Sequence, residues 1–416
     1  MQHQKSHIQK YLQLSAAVGF SAVFALSLSA TPRPQAPASP ATPASTVVKL
    51  DGQRTLGAPK GFKNLTLIPV YDSSARATDT YMTLDEGLKA KVVKVKESGQ
   101  GGEVNTLYIT NGGRKPLYLM AGEVVLGGQQ DRCLGRDVII PPDKRNQPIT
   151  VFCVEHGRWT GHKEFADSAK SVASADIRAS AQEGAFAAQR ATLVAANTTA
   201  APANLRGDTA NLNARVDAIG GRSAARNGRE LSAGTVYVDR VGQEQQKVWD
   251  KVEQKNARFK AANATGTYRG VLNQSGGESN SSIEPYVKAL TSLPTDPHLV
   301  GMVAAVNGKV VSADIFGDPV LFKKLWPKLL RSYAADAAEN TPAKGQKTLA
   351  VTPAEAKAFL VAASDSKSKM ENKSDVSTTL RLESASSLTY RLHSPAKPGM
   401  GGGMGGAAIH TNILSK

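Results

Sequence analysis

The chain has 416 residues, a formal net charge of +16 and a hydrophobic share of 41%, which is ordinary for a fold that buries a core. Its Lys and Arg residues are scattered among acids, and there is no long basic run, zinc-finger spacing or aromatic RNA-binding strand motif. These features exclude nucleic acid as the expected partner and leave a basic protein suited to resting against an anionic envelope.

At the start, Lys5 and Lys10 flank a polar opening, and the apolar run Leu12 to Ala30 ends in Ser27, Ser29 and Ala30. That is the order of a secretory signal, so residues 1–30 are expected to be a cleaved signal peptide that delivers the chain to the periplasm or outside the cell. The run also has the length of a membrane anchor, but its small-residue end favours cleavage, after which no membrane span remains. Residues 31–46 are rich in Pro, Ala, Ser and Thr and read as an extended linker. The expectation for residues 61–416 is a single β-rich domain.

Past the linker, short runs rich in Val, Ile, Leu, Thr and Tyr alternate with Gly and Pro: Leu65 to Tyr71, Val92 to Lys96, Val104 to Asn111, Leu117 to Met120, Val138 to Ile140 and Ile149 to Glu155. This pattern predicts an antiparallel sheet or sandwich. Thr83 and Glu86 form a capping box for a short helix over Leu84 to Ala90. From Glu164 to Gly234 the chain turns to Ala, Ser, Asn, Gln and Arg with little to bury, which predicts weak helix and a mobile insertion at about 180–234. Helical spacing returns over Gly242 to Ala262, where Val248, Val252 and Phe259 recur around Trp249.

Gly301 to Val306 and Lys309 to Ile315 flank an Asn307-Gly308 turn and predict a hairpin. Asp318 and Pro319 start a helix with Leu321, Phe322, Leu325, Leu329 and Tyr333 on its buried face, and Pro327 predicts a kink or break in it. Thr352, Pro353 and Glu355 start another. Strands follow at Thr378 to Leu382, Thr389 to His393 and Ile409 to Leu414. The intervening glycines, Gly399 to Gly406, lack the Lys and Ser or Thr of a phosphate cradle. The fold class is α+β, an antiparallel β-sheet or sandwich core with helices contributed mainly by the second half.

Cys133 and Cys153 are the two cysteines. If Pro142 to Arg145 is a hairpin turn, Ile139 faces Gln147, Asp137 faces Ile149 and Cys133 faces Cys153, which predicts a disulfide in an exported protein. Two other readings stand beside it. A one-residue slip leaves two buried thiols on opposite faces, and a catalytic Cys153 would need His156 as base, although three residues along a strand point that ring the other way.

The polar chemistry is densest in Gly122-Glu123-Val124-Val125-Leu126-Gly127-Gly128-Gln129-Gln130-Asp131-Arg132 and in Cys153-Val154-Glu155-His156-Gly157-Arg158-Trp159. The proposed hairpin folds the first stretch antiparallel onto the second and gathers their charges at one strand end. Glu123 and Glu155 are then candidate acid and base groups, Arg132 and Arg158 anion clamps, Trp159 a stacking wall, and Gln129 and Gln130 polar contacts. The competing reading is two Arg-carboxylate pairs that lock a sheet corner.

At these residues the chain resembles the ARG-and-Rhodanese-Phosphatase-superfamily-associated protein domain family. The resemblance runs through Tyr81-Met82-Thr83-Leu84-Asp85-Glu86, Gly122-Glu123 with Gln129, Gln130 and Arg132, and Cys153-Val154-Glu155 with Gly157-Arg158-Trp159. It continues through Gln246-Lys247-Val248-Trp249, Val300-Gly301 with Asn307-Gly308, Asp314 to Gly317 and Ile409-His410, and so covers most of Gly61 to Ser415. Two departures are the Ala-rich stretch from Ser180 to Gly234 and Cys133. The family's name implies an association with ADP-ribosylglycohydrolase-type proteins, and so a ligand related to NAD or ADP-ribose.

Two functions follow. One is binding, with or without processing, of a nucleotide-like or other phosphorylated small molecule, an anionic ligand held by the residues just named. The other is a non-catalytic extracytoplasmic structural or interaction domain whose charged cluster is a core network. No cofactor is expected, and no metal: His156 and His162 are six apart and belong to no metal-binding pattern, while His298 and His393 read as structural. His410 stands apart, because a C-terminal strand would return it to the sheet near the signature.

Overall fold

Alternation of apolar and polar residues builds the first half of the protein, and a strand buried on both faces builds its centre. The computed structural model describes residues 47–97, 105–158, 164–198, 225–226, 229–230, 233–261, 264–272, 283–292, 294–343, 345–346, 348–366, 368–374, 376–395 and 406–416. The expected signal, the linker and Trp159 lie outside the described residues.

In chain order come β1 (Val48–Lys49), β2 (Arg54–Leu56), β3 (Lys60–Phe62), β4 (Leu65–Asp72), β5 (Met82–Thr83), α1 (Leu84–Lys89), β6 (Val93–Lys96), β7 (Thr106–Asn111), β8 (Leu117–Leu119), β9 (Glu123–Gly127), β10 (Arg132–Leu134), β11 (Val138–Ile140), β12 (Lys144–Cys153) and β13 (Glu164–Val172). Then follow α2 (Ala175–Thr198), the small hairpin of β14 (Ala225–Arg226) and β15 (Arg229–Glu230), α3 (Ala233–Arg258), α4 (Arg269–Leu272) and α5 (Glu284–Leu290). The last part holds β16 (Leu299–Val306), β17 (Lys309–Phe316), α6 (Pro319–Glu339), α7 (Pro353–Ser364), β18 (Ser368–Lys373), β19 (Thr378–Glu383), β20 (Ser387–His393) and β21 (Ala408–Ser415).

The fold is α+β. A ten-stranded sheet runs β1-β2-β4-β16-β17-β21-β20-β19-β18 with β3 on β4, and β10-β12-β7-β6-β13-β9 close a barrel. A three-stranded sheet, β11-β8-β5, completes this half. In β6 and β7 every second residue is buried, so Val93, Val95, Leu107 and Ile109 fill the barrel with Leu134, Val151 and Phe165. β16 is buried along its whole length. Met302, Ala304 and Val306 join Leu325 and Leu329 of α6, whereas Val300, Val303 and Ala305 join Ala356 and Leu360 of α7. A strand covered on both sides reads as a continuous apolar run, which is what Leu299–Val306 is.

Local signals act as the sequence predicts. Thr83 and Glu86 close a capping box at α1, as Thr352 and Glu355 do at α7, and Asp318 caps α6 ahead of Pro319. The turn joining β16 to β17 holds Asn307 and Gly308 at φ of 52° and 78°. Pro327 does not break α6, which continues to Glu339. Pro327 is exposed while Leu325, Trp326, Leu329 and Leu330 around it are buried, so the missing hydrogen bond falls on the solvent side and packing carries the helix through.

Two expectations are corrected. The stretch after Glu164 has a good deal to bury: Glu164–Val172 is the strand that closes the barrel between β6 and β9, and Ala175–Thr198 is a helix along α3. Its small residues are the reason, since Ala181 and Ala185 are fully buried and let α2 sit close to Phe152 of the barrel. Most of the remaining expected insertion lies outside the described residues. The second correction is the disulfide. β11 leaves the predicted hairpin to pair with β8, and β10 pairs with β12 one residue out of the expected register, Arg132 opposite Cys153 and Cys133 opposite Phe152. Cys133 and Cys153 therefore point to opposite faces and form no disulfide. Burial pushes both thiols up, Cys133 to about 12 and Cys153 to about 11, so neither has the thiolate character of a nucleophile.

A methyl group built on Gly184 would come within 2.3 Å of Phe152 Cζ. Gly184→Ala should therefore lower stability by about 1–3 kcal/mol, although alanine is intrinsically the better helix former by about 1 kcal/mol. Urea unfolding decides the sign, and a raised midpoint would mean that the helix is looser against Phe152 than described.

Candidate functional site

The fold-back expected of the signature forms, and it sorts the expected residues into two places. β10 lies antiparallel to β12, so the amide of Asp131 donates to Glu155 Oε2 at 2.9 Å and the amide of Val154 to the carbonyl of Asp131 at 3.1 Å. Arg158 returns over this corner. Its Nε and terminal nitrogen donate to Glu155 at 2.7–3.1 Å, and its other donors reach the carbonyls of Gly128 at 2.7 Å and Gly127 at 3.2 Å.

Asp131 is nearly fully buried and takes Arg269 at 3.0 Å, Thr267 at 2.8 Å and the amide of Gly127 at 3.1 Å. Arg132 spans Gln130 Oε1 at 3.1 Å and Glu97 Oε1 at 3.4 Å, and Glu97 also accepts from the amide of Gln129 at 3.0 Å. Gln130 gives its amide to the carbonyl of His156. Against the pull of burial, Arg158 and the Asp131 amide hold the Glu155 carboxyl below the usual range, and Glu155 and Asp131 hold Arg158 above its own.

Glu123 does not join them. It opens β9, about 13 Å from Gly127 at ~3.3 Å per residue, so the two acids expected to act together stand at opposite ends of one strand. Fully buried, Glu123 accepts from the amide of Met120 at 2.8 Å and from Lys328 of α6 at 2.5 Å, and Lys328 also reaches Asp85 at 2.9 Å. Burial raises the Glu123 carboxyl, as a general acid requires, but both of its oxygens are taken and no water-facing atom remains. Lys328, though enclosed, is held charged by Glu123 and Asp85.

A second, fully buried polar centre is one that the residue types alone did not reveal. Asp314 of β17 is fully buried and takes Arg178 at 2.6 and 3.3 Å, Tyr333 at 2.6 Å, Asn412 at 2.9 Å and His410 Nε2 at 3.2 Å. His410 Nδ1 lies 2.7 Å from Asp137 Oδ2 and 3.0 Å from the Tyr118 hydroxyl, and the ring stacks on Phe316 at 4.2 Å. Asp137 accepts from the amide of Ala121 at 2.7 Å. Arg178 crosses directly over Gly122, where a Cβ would meet its Cγ at 2.5 Å and the backbone is at φ 88°. That explains the glycine before Glu123. The signal that led here was the return of His410 on a last strand; nothing in the Ala-rich stretch marked Arg178.

A further buried cation, Lys255 of α3, pairs with Glu339 and with Asp176 at 3.2 Å, near Asp336, whose carboxyl burial raises to about 7. Among the described residues no group of three or more His, Cys, Asp or Glu is placed to hold a metal ion. No helix among them is long and apolar enough to cross a membrane.

Apart from Asn412, the residues of these centres fall within residues 53–411, over which the chain matches the model of the ARG and Rhodanese-Phosphatase-superfamily-associated protein domain. The chain belongs to this family. Comparison with curated proteins and with solved structures gave no match. The residues that carried the resemblance to the family are largely those with enclosed partners: Thr83 and Glu86 in a cap, Gly122 beneath Arg178, Glu123 on Lys328, Arg132 on Glu97, Glu155 on Arg158, and Asp314 with His410 at the centre.

Burial disfavours a charged His410, but Asp137 and Asp314 outweigh it and raise the ring to about 9. Set against an unfolded value of about 6.5, the stabilisation is complete below that pH and is lost as pH rises through about 9; its full size is on the order of 3 kcal/mol. Urea midpoints of the wild type and His410→Asn, taken from pH 6 to 10, should converge at the alkaline end. A gap that stays constant would exclude a charged imidazolium.

Proposed function

We propose that the protein is a non-catalytic extracytoplasmic interaction domain in which the charged signature is a core network locking the barrel corner. The observation that carries this reading is the occupation of Glu155. Its carboxylate is already engaged by the Asp131 amide and by both faces of the Arg158 fork, and the remaining Arg158 donors are spent on backbone carbonyls. A general base needs a lone pair aimed at its substrate, and an anion clamp needs donors facing solvent. A cleft of about 500 Å³ does exist, but it lies at the β1–β2 edge against Tyr71, Asp296 and His298, and none of the signature residues lines it. Export rests on the order Lys5, Lys10, Leu12 to Ala30 at the start of the chain.

The ligand reading, a nucleotide-like molecule related to NAD or ADP-ribose at Arg132 and Arg158, is the outcome that the same experiment would reveal. Arg158→Ala leaves the buried Glu155 carboxylate without its counter-charge and should cost about 3 kcal/mol. Calorimetric titration of the wild type with ADP-ribose should give no heat. A variant that melts like the wild type, together with ADP-ribose heat that disappears on substitution, would overturn the proposal in favour of a ligand clamp.

A further inference from the structure

Each buried cation described so far faces a carboxylate; Arg136 does not. It stands in the turn between β10 and β11, next to the Asp137 that holds His410, and it lines a narrow cleft of about 10 Å³ with Asp137, Gln182, Phe186, Thr379 and Tyr390. The side chain is half-buried, its Nε is enclosed without a hydrogen-bond partner, and among the described residues it has no ion pair. Desolvation lowers its pKa with no acid to offset the shift.

The neighbouring carboxylates are committed elsewhere. Asp137 is bound by His410 and the Ala121 amide, and Glu183 by Arg240, Arg381 and Tyr390. Arg391 also lines the cleft, with its own Nε unpartnered, and adds a second positive charge there. Thr379 also lines the wall. An enclosed guanidinium N–H without an acceptor is costly, and an anion from solution could supply the acceptor that the protein does not.

We propose that this cleft is an anion site in which Arg136 receives one small anionic atom, a halide ion or the terminal oxygen of a phosphate. The enclosed part has room for about one water-sized atom, so the rest of a phosphate stays outside the mouth. The site is separate from the signature corner and does not rest on the reading given to Glu155 and Arg158.

The test is thermal unfolding of the full chain, titrated with sodium chloride in one arm and sodium phosphate in the other, for the wild type and Arg136→Met. The wild type should show a saturable rise in Tm of about 2 °C that the variant lacks, since general salt effects are common to both proteins. The arm that saturates at lower concentration identifies the anion. Should Arg136→Met not fold, chlorine NMR line broadening and calorimetric titration of phosphate into the wild type read binding directly, with Arg136→Lys expected to weaken it at least tenfold. Identical titrations for wild type and Arg136→Met, or no saturable signal from either anion, would overturn the site.

Discussion

The structure turns on the carboxylate of Asp314. Four side chains from three other elements converge on it: Arg178 from α2, Tyr333 from α6, and His410 and Asn412 from β21, the neighbour of its own strand β17. Removing that one group would strand the Arg178 guanidinium in the interior and leave His410 with Asp137 alone, a loss of several kcal/mol. Through Arg178 the same carboxylate reaches the turn at Gly122, and through His410 it reaches Asp137 at the edge of the barrel. The barrel and the ten-stranded sheet are thus bound by charge as well as by apolar packing.

A chain with an excess of 16 positive charges keeps its interior close to neutral. Arg178 and His410 are set against Asp137 and Asp314, Lys328 against Glu123 and Asp85, and Arg132, Arg158 and Arg269 against Glu97, Asp131 and Glu155. Each cluster nearly cancels, so none of them projects a field that would draw an anionic substrate. Among the described residues Arg136 and Arg391 are not matched in this way, and the same accounting that makes the signature corner self-contained singles out the cleft they border.

What could be read from the sequence is what short stretches decide. The capping boxes at Thr83 and Thr352, the Asn307-Gly308 turn and the β16 run depend on neighbours within a few residues, and all formed as expected. The antiparallel return of the signature was legible too, but its register was not. The ladder is one residue out because β11 is captured by β8, a partner supplied from outside the hairpin. Arg178 and Asp314 are 136 residues apart and fully buried, yet in the sequence they look like any surface pair, since nothing local distinguishes a charge that will meet its counter-charge from one left in water. Glu123 misled for a related reason: proximity to Arg132 in sequence suggested a shared site, while the rise along β9 carried it to Lys328.

The span of these contacts also bears on what the network does. His410 meets Asp137 across 273 residues and Tyr118 across 292, so its pairing closes loops nearly as long as the described fold. Closing such loops costs entropy before any contact is gained, and buried charges tolerate no half-formed state because each would be left without a partner. A network of this kind forms together or not at all, and holds its surroundings to one arrangement. Catalytic groups, by contrast, need access and room to change partners as charge develops. Asp314, His410, Glu123 and Glu155 are all enclosed and committed to such partners, and that commitment is what the proposed structural role of the network rests on.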